Sequence, residues 1–565
     1  MPFLSKVNVS NYKSSKGARI NFFLSFAVLL FFCVCLYGIN WGLVESWNPD
    51  QMALGKLITR SDQPLRPASY VKPPLHAYFN YFFAEIPARI LSKSLNLTTY
   101  QTHRLLLIFS RLLTILLFIS CGYVIYLIVY NNVGEFEAKC SLILFYSSAG
   151  VLSFAHFLTS DIPVTFWMLL TFLFCVKISK DDKLKYYIIA GILTGIATAT
   201  KYNGLAIGVC IPVSHLLRNK VSLLRFTAIV RSLFAKHFLV SMTMVIFGFI
   251  LAHPYSVLDY KKFISGFLFY YRVTPVYDGS IGKHSYLEYF YFFTELLGWP
   301  AIILVVFSLV CYVRSFKENN ENFSLSLTIL CVSILLLYYL KFGAFPRQEA
   351  RFILPIVPYL IILFSPVFGI YKKSKKIYLA LLLLVFVYNF GCCLFVGYRF
   401  NHDPRMKAIE WVSSNIKSNS TILNSFYCPD WNKIRDKNYK ILPLPFISGR
   451  SRLFKSILKK DNPLLTQNYN KEEYFIFMYS KQFLKIYNPD FISVNSIYYN
   501  RFLDGGDIGE LYPNIRAFFE FLLKKNEQYE IVFDKRPVIP PIFAYPREID
   551  CLNSRMTILK KNEPL

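Results

Sequence analysis

The chain has 565 residues, 54% of them hydrophobic and 18% aromatic, and carries a formal net charge of +28. Repeated long apolar runs at this composition exclude an ordinary soluble domain and place the chain among polytopic membrane proteins. In a soluble protein the charge would suggest nucleic acid. Here much of it falls in short loops between apolar runs, so no nucleic-acid partner is expected.

Residues 1–19 carry Lys6, Lys13, Lys16 and Arg19 and no acid, which assigns them to the cytoplasm. The first apolar run, about Ile20 to Ile39, shows no cleavage site and is long enough to remain as an anchor. It directs the polar stretch Trp41–Arg104 to the outer face. In that stretch Asn48-Pro49-Asp50-Gln51 reads as a helix start: Asn48 caps, Pro49 suits the first turn and Gln51 holds the capping-box position. A second helix is expected from Pro73-Pro74. Leu75, Phe79, Phe82, Phe83, Ile86 and Ile90 fall on one face, and polar interruptions lay this helix in the interface plane.

Alternation of apolar runs then predicts about eleven transmembrane helices, up to a last span at Ile377–Val396. Each inner loop assigned by this alternation carries lysine or arginine, for example Lys177, Lys180, Lys183 and Lys185, or Lys372, Lys373, Lys375 and Lys376. The outer turns hold His156 to Asp161, Lys201 to Gly204, His253 to about Trp299, and Lys341 to Arg351. Beyond residue 400 apolar runs shorten and charges of both signs mix. Residues 1–400 are therefore expected to form a transmembrane domain and residues 401–565 an outer-face α/β domain. Its elements are predicted as a helix from Asp403-Pro404-Arg405 to Ile416, strands at Thr421–Phe426, Phe491–Val494 and Glu530–Phe533, and a helix at Asn514–Lys525. Of the 12 cysteines, ten lie in predicted spans as small apolar residues. Only Cys428 and Cys551 fall in the tail, and in an oxidising compartment they are expected to pair.

The candidate site gathers at the outer boundary. Asp50 follows the first span and Asp161 begins the fourth. Each alone suits a helix first turn or an interfacial position, but two acids reaching one face at one depth point to chemistry. Lys72 lies beside two prolines that fix its backbone. Lys201 fits snorkelling to the interface equally well. Arg347 and Arg351 lie in F-P-R-Q-E-A-R-F-I-L-P-I-V-P at the same boundary, and a phosphate held at a membrane surface needs several such donors. Tyr70, His156 and His253 are candidate donor or acceptor contacts, although a lone interfacial histidine is more often structural. The chain lacks a phosphate-cradling glycine loop, C-x-x-C, H-E-x-x-H and G-x-S-x-G.

N-P-D-Q at 48–51, V-K-P-P-L at 71–75, H-F-L-T-S-D at 156–161, T-K-Y-N-G at 200–204 and R-F-I-L-P-I-V-P at 351–358 together resemble the GT-C superfamily of polyprenyl-phosphate-sugar glycosyltransferases. The resemblance covers roughly residues 20–400 and is closest to the protein O-mannosyltransferases and lipid A aminoarabinose transferases. The sequence departs from the pattern at Gln51, where many relatives carry a second acid, and the tail matches no named module.

The resemblance implies a polytopic helical fold, a polyprenyl-phosphate-linked sugar donor, and transfer with inversion onto a lipid, glycan or protein acceptor. A departing phosphate needs positive charge rather than a general acid, which Lys72, Arg351 and Lys201 supply, with Arg347 beside them. The acceptor hydroxyl needs a base, assigned to Asp50. Asp161 orients the acceptor or shares a divalent metal ion with Asp50, a thin site that leaves the metal optional. The rival reading is a transporter or flippase of lipid-linked sugars, against which the gathering of charges at one boundary and the lack of an evident inverted repeat both count. The expected location is a bacterial inner membrane with the site facing the periplasm, the alternative being the endoplasmic reticulum membrane with a lumenal site.

Overall fold

The computed structural model describes residues 22–43, 47–48, 65–221, 225–273, 286–304, 306, 325–345, 347–369, 376–433, 437–447, 475–504, 507–524, 526–537, 540, 546, 551–552 and 554–562. The Pro49-Asp50-Gln51 part of the expected first-loop helix lies outside the described residues.

The chain is mostly helical up to Asn401. Five helices are long and apolar enough to cross a membrane: Thr99–Asn132, Asp161–Lys180, Leu325–Gly343, Ala350–Val367 and the long run from Leu379. A sixth is formed if the bent pair Phe226–Leu233 and Lys236–Ala252 counts as one span. Phe22–Leu36 and Leu184–Thr200 are shorter apolar helices at two further predicted spans. The protein is therefore an integral, multi-pass membrane protein.

Local sequence explains where these helices start and break. Thr98 and Gln101 form a capping box ahead of Thr99–Asn132, the Thr98 amide donating to Gln101 Oε1 at 2.9 Å. The predicted third span is two helices, Glu135–Tyr146 and Ala149–Phe154, parted at Ser147-Ser148. The predicted sixth span opens as a 3₁₀ stretch, Tyr202–Val209, before Cys210–Arg218 continues as α-helix. The interfacial helix is present from Leu75 to Ser94, with a π-helical turn at Tyr81–Glu85. Phe82, Phe83 and Ile90 are exposed on it, as side chains facing lipid would be.

The C-terminal segment holds a five-stranded mixed sheet of β1 (Thr421–Asn424), β2 (Lys440–Pro443), β3 (Phe491–Asn495), β4 (Tyr529–Lys535) and β5 (Met556–Lys561), in the order β2-β1-β3-β5-β4. β1 pairs in parallel with β2 and β3, whereas β5 is antiparallel to β3 and β4. Alternating residues enter different cores. Leu423 and Leu559 face Tyr498, Phe519 and other residues of the helices after β3. Ile422 and Ile558 face Ala408 and Val412 of helix Pro404–Asn415. The result is three layers, helix on sheet on helix.

The expected disulfide between Cys428 and Cys551 is not formed. Cys428 lies in the turn after β1, 3.5 Å from Ser425 Oγ. Cys551 sits in a left-handed turn, φ 57°, and packs with the membrane core. The two residues belong to different packing clusters.

Candidate active site

Asp161 is the first residue of its helix and Lys201 follows the last residue of the next. The two helices are antiparallel neighbours, so both side chains return to the same boundary. Lys201 Nζ donates to Asp161 Oδ1 at 2.6 Å, and the Asp161 side chain is 4% exposed. The T-K-Y-N-G stretch is built for this contact. Lys201 is extended, with φ −156° and ψ 132°, which ends the helix and swings its side chain toward Asp161. Tyr202 OH donates to the Tyr70 carbonyl at 2.8 Å, and Asn203 Nδ2 to Tyr338 OH at 2.5 Å. A Cβ on Gly204 would lie 2.4 Å from the Ala197 carbonyl oxygen, so only glycine lets the chain turn back so tightly here.

The Y-V-K-P-P-L-H segment lies against this turn. Tyr70 OH donates to Asp259 Oδ2 at 3.0 Å, and Arg66 Nη2 donates to the same oxygen at 2.6 Å. The Arg66 hydrogen bond holds the Asp259 carboxyl below the usual range. Helix Tyr260–Val273 presses on this segment through Gly266, where an added Cβ would come within 2.6 Å of Tyr70 Cβ. Pro73 and Pro74 are buried and Lys72 is half-buried. His76, four residues after Lys72, is buried. Desolvation lowers its pKa to about 4, against the opposing charge of Asp161. The segment is thus tied to Lys201 through Tyr202, and the helix it leads into brings His76 within the field of Asp161.

Arg347 and Arg351 converge on one carboxylate. Arg347 Nε donates to Glu349 Oε1 at 2.6 Å, and Arg351 Nε pairs with Glu349 Oε2. Burial alone would raise the Glu349 pKa, but the two guanidinium groups outweigh it and hold the carboxylate below its ordinary value. Tyr270 connects the two charge groups: burial pushes its hydroxyl up to about 12, Asp161 adds to this, and Arg347 and Arg351 oppose it. Its ring also packs on Tyr202, 5.1 Å between centroids.

Two predicted contacts take other positions. His156 Nε2 donates to the Tyr37 carbonyl at 3.1 Å, and its ring stacks on Phe400 at 4.5 Å. These contacts join the end of the first apolar helix to the end of the last. His253 is buried and stacks on Tyr70 at 5.9 Å; among the described residues neither ring nitrogen has a hydrogen-bond partner. Asp50 lies outside the described residues.

His76, Asp259, Tyr270, Tyr338 and Glu349 were not singled out from sequence. Glu349 was the most accessible of them, standing between the two chosen arginines. Tyr270 gave no signal, because the loop that carries it is aromatic throughout.

Among the described residues no group of three or more histidine, cysteine or acidic side chains is arranged to hold a metal ion. Asp161 Oδ1 is taken by a lysine ammonium, so the described residues do not by themselves fit a divalent ion.

Fold and site together define a multi-pass membrane protein with paired charges at one boundary of its helices. Residues 105–247 match the family model of the dolichyl-phosphate-mannose-protein mannosyltransferases, so over this segment, which holds Asp161 and Lys201, the resemblance to the polyprenyl-phosphate-sugar glycosyltransferases is shown. No curated protein sequence matches the chain. Among solved structures, the chain is similar to ArnT from Cupriavidus metallidurans in the apo state, with 12% identity, TM-score 0.46, and 84% of this chain and 92% of that one covered. ArnT from the same organism bound to undecaprenyl phosphate gives 11%, 0.47, 95% and 97%. The archaeal oligosaccharyltransferase AglB from Archaeoglobus fulgidus, in complex with an inhibitory peptide and a dolichol-phosphate, gives 10%, 0.48, 96% and 88%.

Proposed function

We propose that the protein is a membrane glycosyltransferase that moves a sugar from a polyprenyl-phosphate donor to an acceptor hydroxyl, with inversion, at the outer face of a bacterial inner membrane. The observation that carries this reading is the Asp161–Lys201 pair, 2.6 Å apart at a helix boundary inside the segment that matches the mannosyltransferase model. Lys72, Lys201, Arg347 and Arg351 hold the donor phosphate and stabilise its charge as the glycosidic bond breaks. Asp50 takes the proton of the acceptor hydroxyl as that oxygen attacks the sugar carbon. Asp161 holds Lys201 through Oδ1 and leaves Oδ2 to orient the acceptor. A divalent ion shared with Asp50 would have to use that second oxygen.

The test is transfer of labelled sugar from synthetic polyprenyl-phosphate sugars by the purified protein, with mass spectrometry of lipid A, surface glycan and exported proteins from cells with and without the gene. Asp50→Asn should lower transfer about 100- to 10,000-fold at unchanged melting temperature. Transfer at the wild-type rate removes Asp50 as the base. Translocation of a lipid-linked sugar without any glycosylated product refutes the transferase reading.

A further inference from the structure

Where the last membrane helix, Lys376–Asn401, passes into helix Pro404–Asn415, a cleft of about 60 Å³ opens between these two helices and the end of β4. Arg399, His402, Lys407, Lys535 and Arg536 line it, with Asp403 as the one acid. Three exposed cations, Lys407, Lys535 and Arg536, thus meet at one small space beside buried Arg399, whose guanidinium donates to the Pro546 carbonyl at 2.5 Å and is attracted by Glu295. Like charges gathered this way repel unless an anion lies between them.

Asp403 and Asp534, the acids beside the exposed cations in the chain, are already committed. Asp403 receives two hydrogen bonds from the Arg405 guanidinium, at 2.9 and 2.7 Å, and a third from Trp41 Nε1 at 2.9 Å. Asp534, next in sequence to Lys535, is held by Arg555 through two bonds of 2.7 Å. Lys407, Lys535 and Arg536 are exposed, and none of them forms an ion pair among the described residues. The position of the cleft is also specific. Tyr398 and Arg399 belong to the last turn of a membrane helix, and the His402 ring stacks on Tyr398 at 3.9 Å. An aromatic group beside cations at a helix end marks the headgroup level.

From this we infer that the cleft is a phosphate-binding site, filled by the headgroup of an anionic membrane lipid. Volume and charge agree. One water takes about 10–15 Å³ by this measure, so the cleft has room for a few waters or one phosphate group. Guanidinium and ammonium donors from three directions suit phosphate oxygens. On the outer face assigned to this boundary, cations beside a span are disfavoured by the membrane-insertion rule, and an anionic ligand offsets that preference. The inference rests on the membrane position of the last helix and stands whether or not the protein transfers sugars.

The test uses the full-length protein in a neutral detergent, with phosphatidylglycerol, phosphatidylcholine or inorganic phosphate added. Native mass spectrometry counts bound lipid, and melting reports stabilisation. Wild type should retain phosphatidylglycerol and melt higher with it, and phosphatidylcholine should do neither. Lys535→Gln/Arg536→Gln should weaken phosphatidylglycerol binding at least tenfold, and Lys407→Gln should do so severalfold. Both variants must melt like wild type without lipid, and if the double variant does not, the single one decides. An equal melting shift with inorganic phosphate supports the phosphate site and assigns its source to solution. Equal retention of phosphatidylcholine, or unchanged phosphatidylglycerol binding in both variants, overturns the inference.

Discussion

Replacing Asp403 by alanine should loosen the first outer loop although Asp403 lies some 350 positions away from it in sequence, since Trp41 donates to its carboxylate across a separation of 362 residues. Asp403 and Arg405 form an ion pair with 0% exposure of either side chain. The Asp403 carboxylate also caps helix Pro404–Asn415 by accepting from the Arg405 amide at 2.9 Å. Arg405 lies over the Trp47 ring at 4.6 Å and the Trp41 ring at 5.2 Å, and donates to the Cys551 carbonyl at 2.6 Å. Removing one partner of a buried pair costs about 3–5 kcal/mol, because the remaining charge is left unpaired away from water. Loss of the helix cap costs about 1 kcal/mol. The two effects share one carboxylate and do not add fully, so about 4 kcal/mol is expected. Asp403→Asn/Arg405→Met removes both charges and should recover most of it. Fluorescence of Trp41 and Trp47 during denaturation, in a background with the other four tryptophans replaced by phenylalanine, gives a local reading. A loss under 1 kcal/mol in Asp403→Ala, with unchanged tryptophan emission, would refute the reasoning.

Three further outcomes are expected. Lys201→Met leaves the Asp161 carboxylate buried without its ammonium partner, so the variant should melt several degrees lower and lose at least 100-fold in sugar transfer; transfer near the wild-type rate removes Lys201 from the site. Gly266→Ala forces helix Tyr260–Val273 off Tyr70 and should cost about 1–3 kcal/mol, measured by denaturant unfolding, with a neutral effect as the contrary result. His76 sets a pH dependence: its folded pKa is lowered from 6.5 to about 4, so the unfolded chain binds more protons between these values. The stability it supports is complete above pH 6.5 and falls by about 3 kcal/mol as pH drops toward 4. Melting curves of His76→Gln should lack that part of the decline.

Of the about eleven membrane helices expected, the five or six long enough to cross a membrane were legible because apolar length is a local property. Helix Asp161–Lys180 begins at the expected acid, and Pro404–Asn415 has the expected cap at Asp403. The breaks inside the predicted third and sixth spans were not legible. They depend on packing, as with Gly204 against Ala197, and no local pattern announces it. In the tail, β1, β3 and β4 stood close to their predicted places, while β2 and β5 were missed. β2 is four residues long with no fully buried side chain, and β5 reads as a charged terminus until its pairing with β3 is known. For the candidate site, the sequence reading named Lys72, Lys201, Arg347, Arg351 and Asp161 but neither Arg66 nor the carboxylates that pair with Arg66, Arg347 and Arg351. Those partners are a matter of geometry, and the Arg66–Asp259 contact spans 193 residues. Arg111 was missed for a similar reason: a fully buried arginine in a membrane helix reads as functional, yet it donates to the Ile39 carbonyl at 2.5 Å and lies over Trp41.

That pairing bears on how the proposed reaction is driven. Asp161 cancels the charge of Lys201, and Asp259 that of Arg66. Arg347 and Arg351 share the single carboxylate of Glu349. His76 is neutral near pH 7 because burial lowers its pKa to about 4. A sugar joined to a lipid through a phosphodiester brings one negative charge. The lipid phosphate that departs carries up to two near neutral pH. In the proposed reaction, cations held in place complement the departing phosphate better than the intact donor, the condition under which binding lowers a barrier rather than only filling a site. The carboxylates make this possible by fixing each cation in place beforehand, so that little reorganisation is needed as the bond breaks. On this reading Glu349→Gln would raise the net charge and tighten donor binding, yet slow turnover, because two guanidinium groups would lose the anchor that aims them.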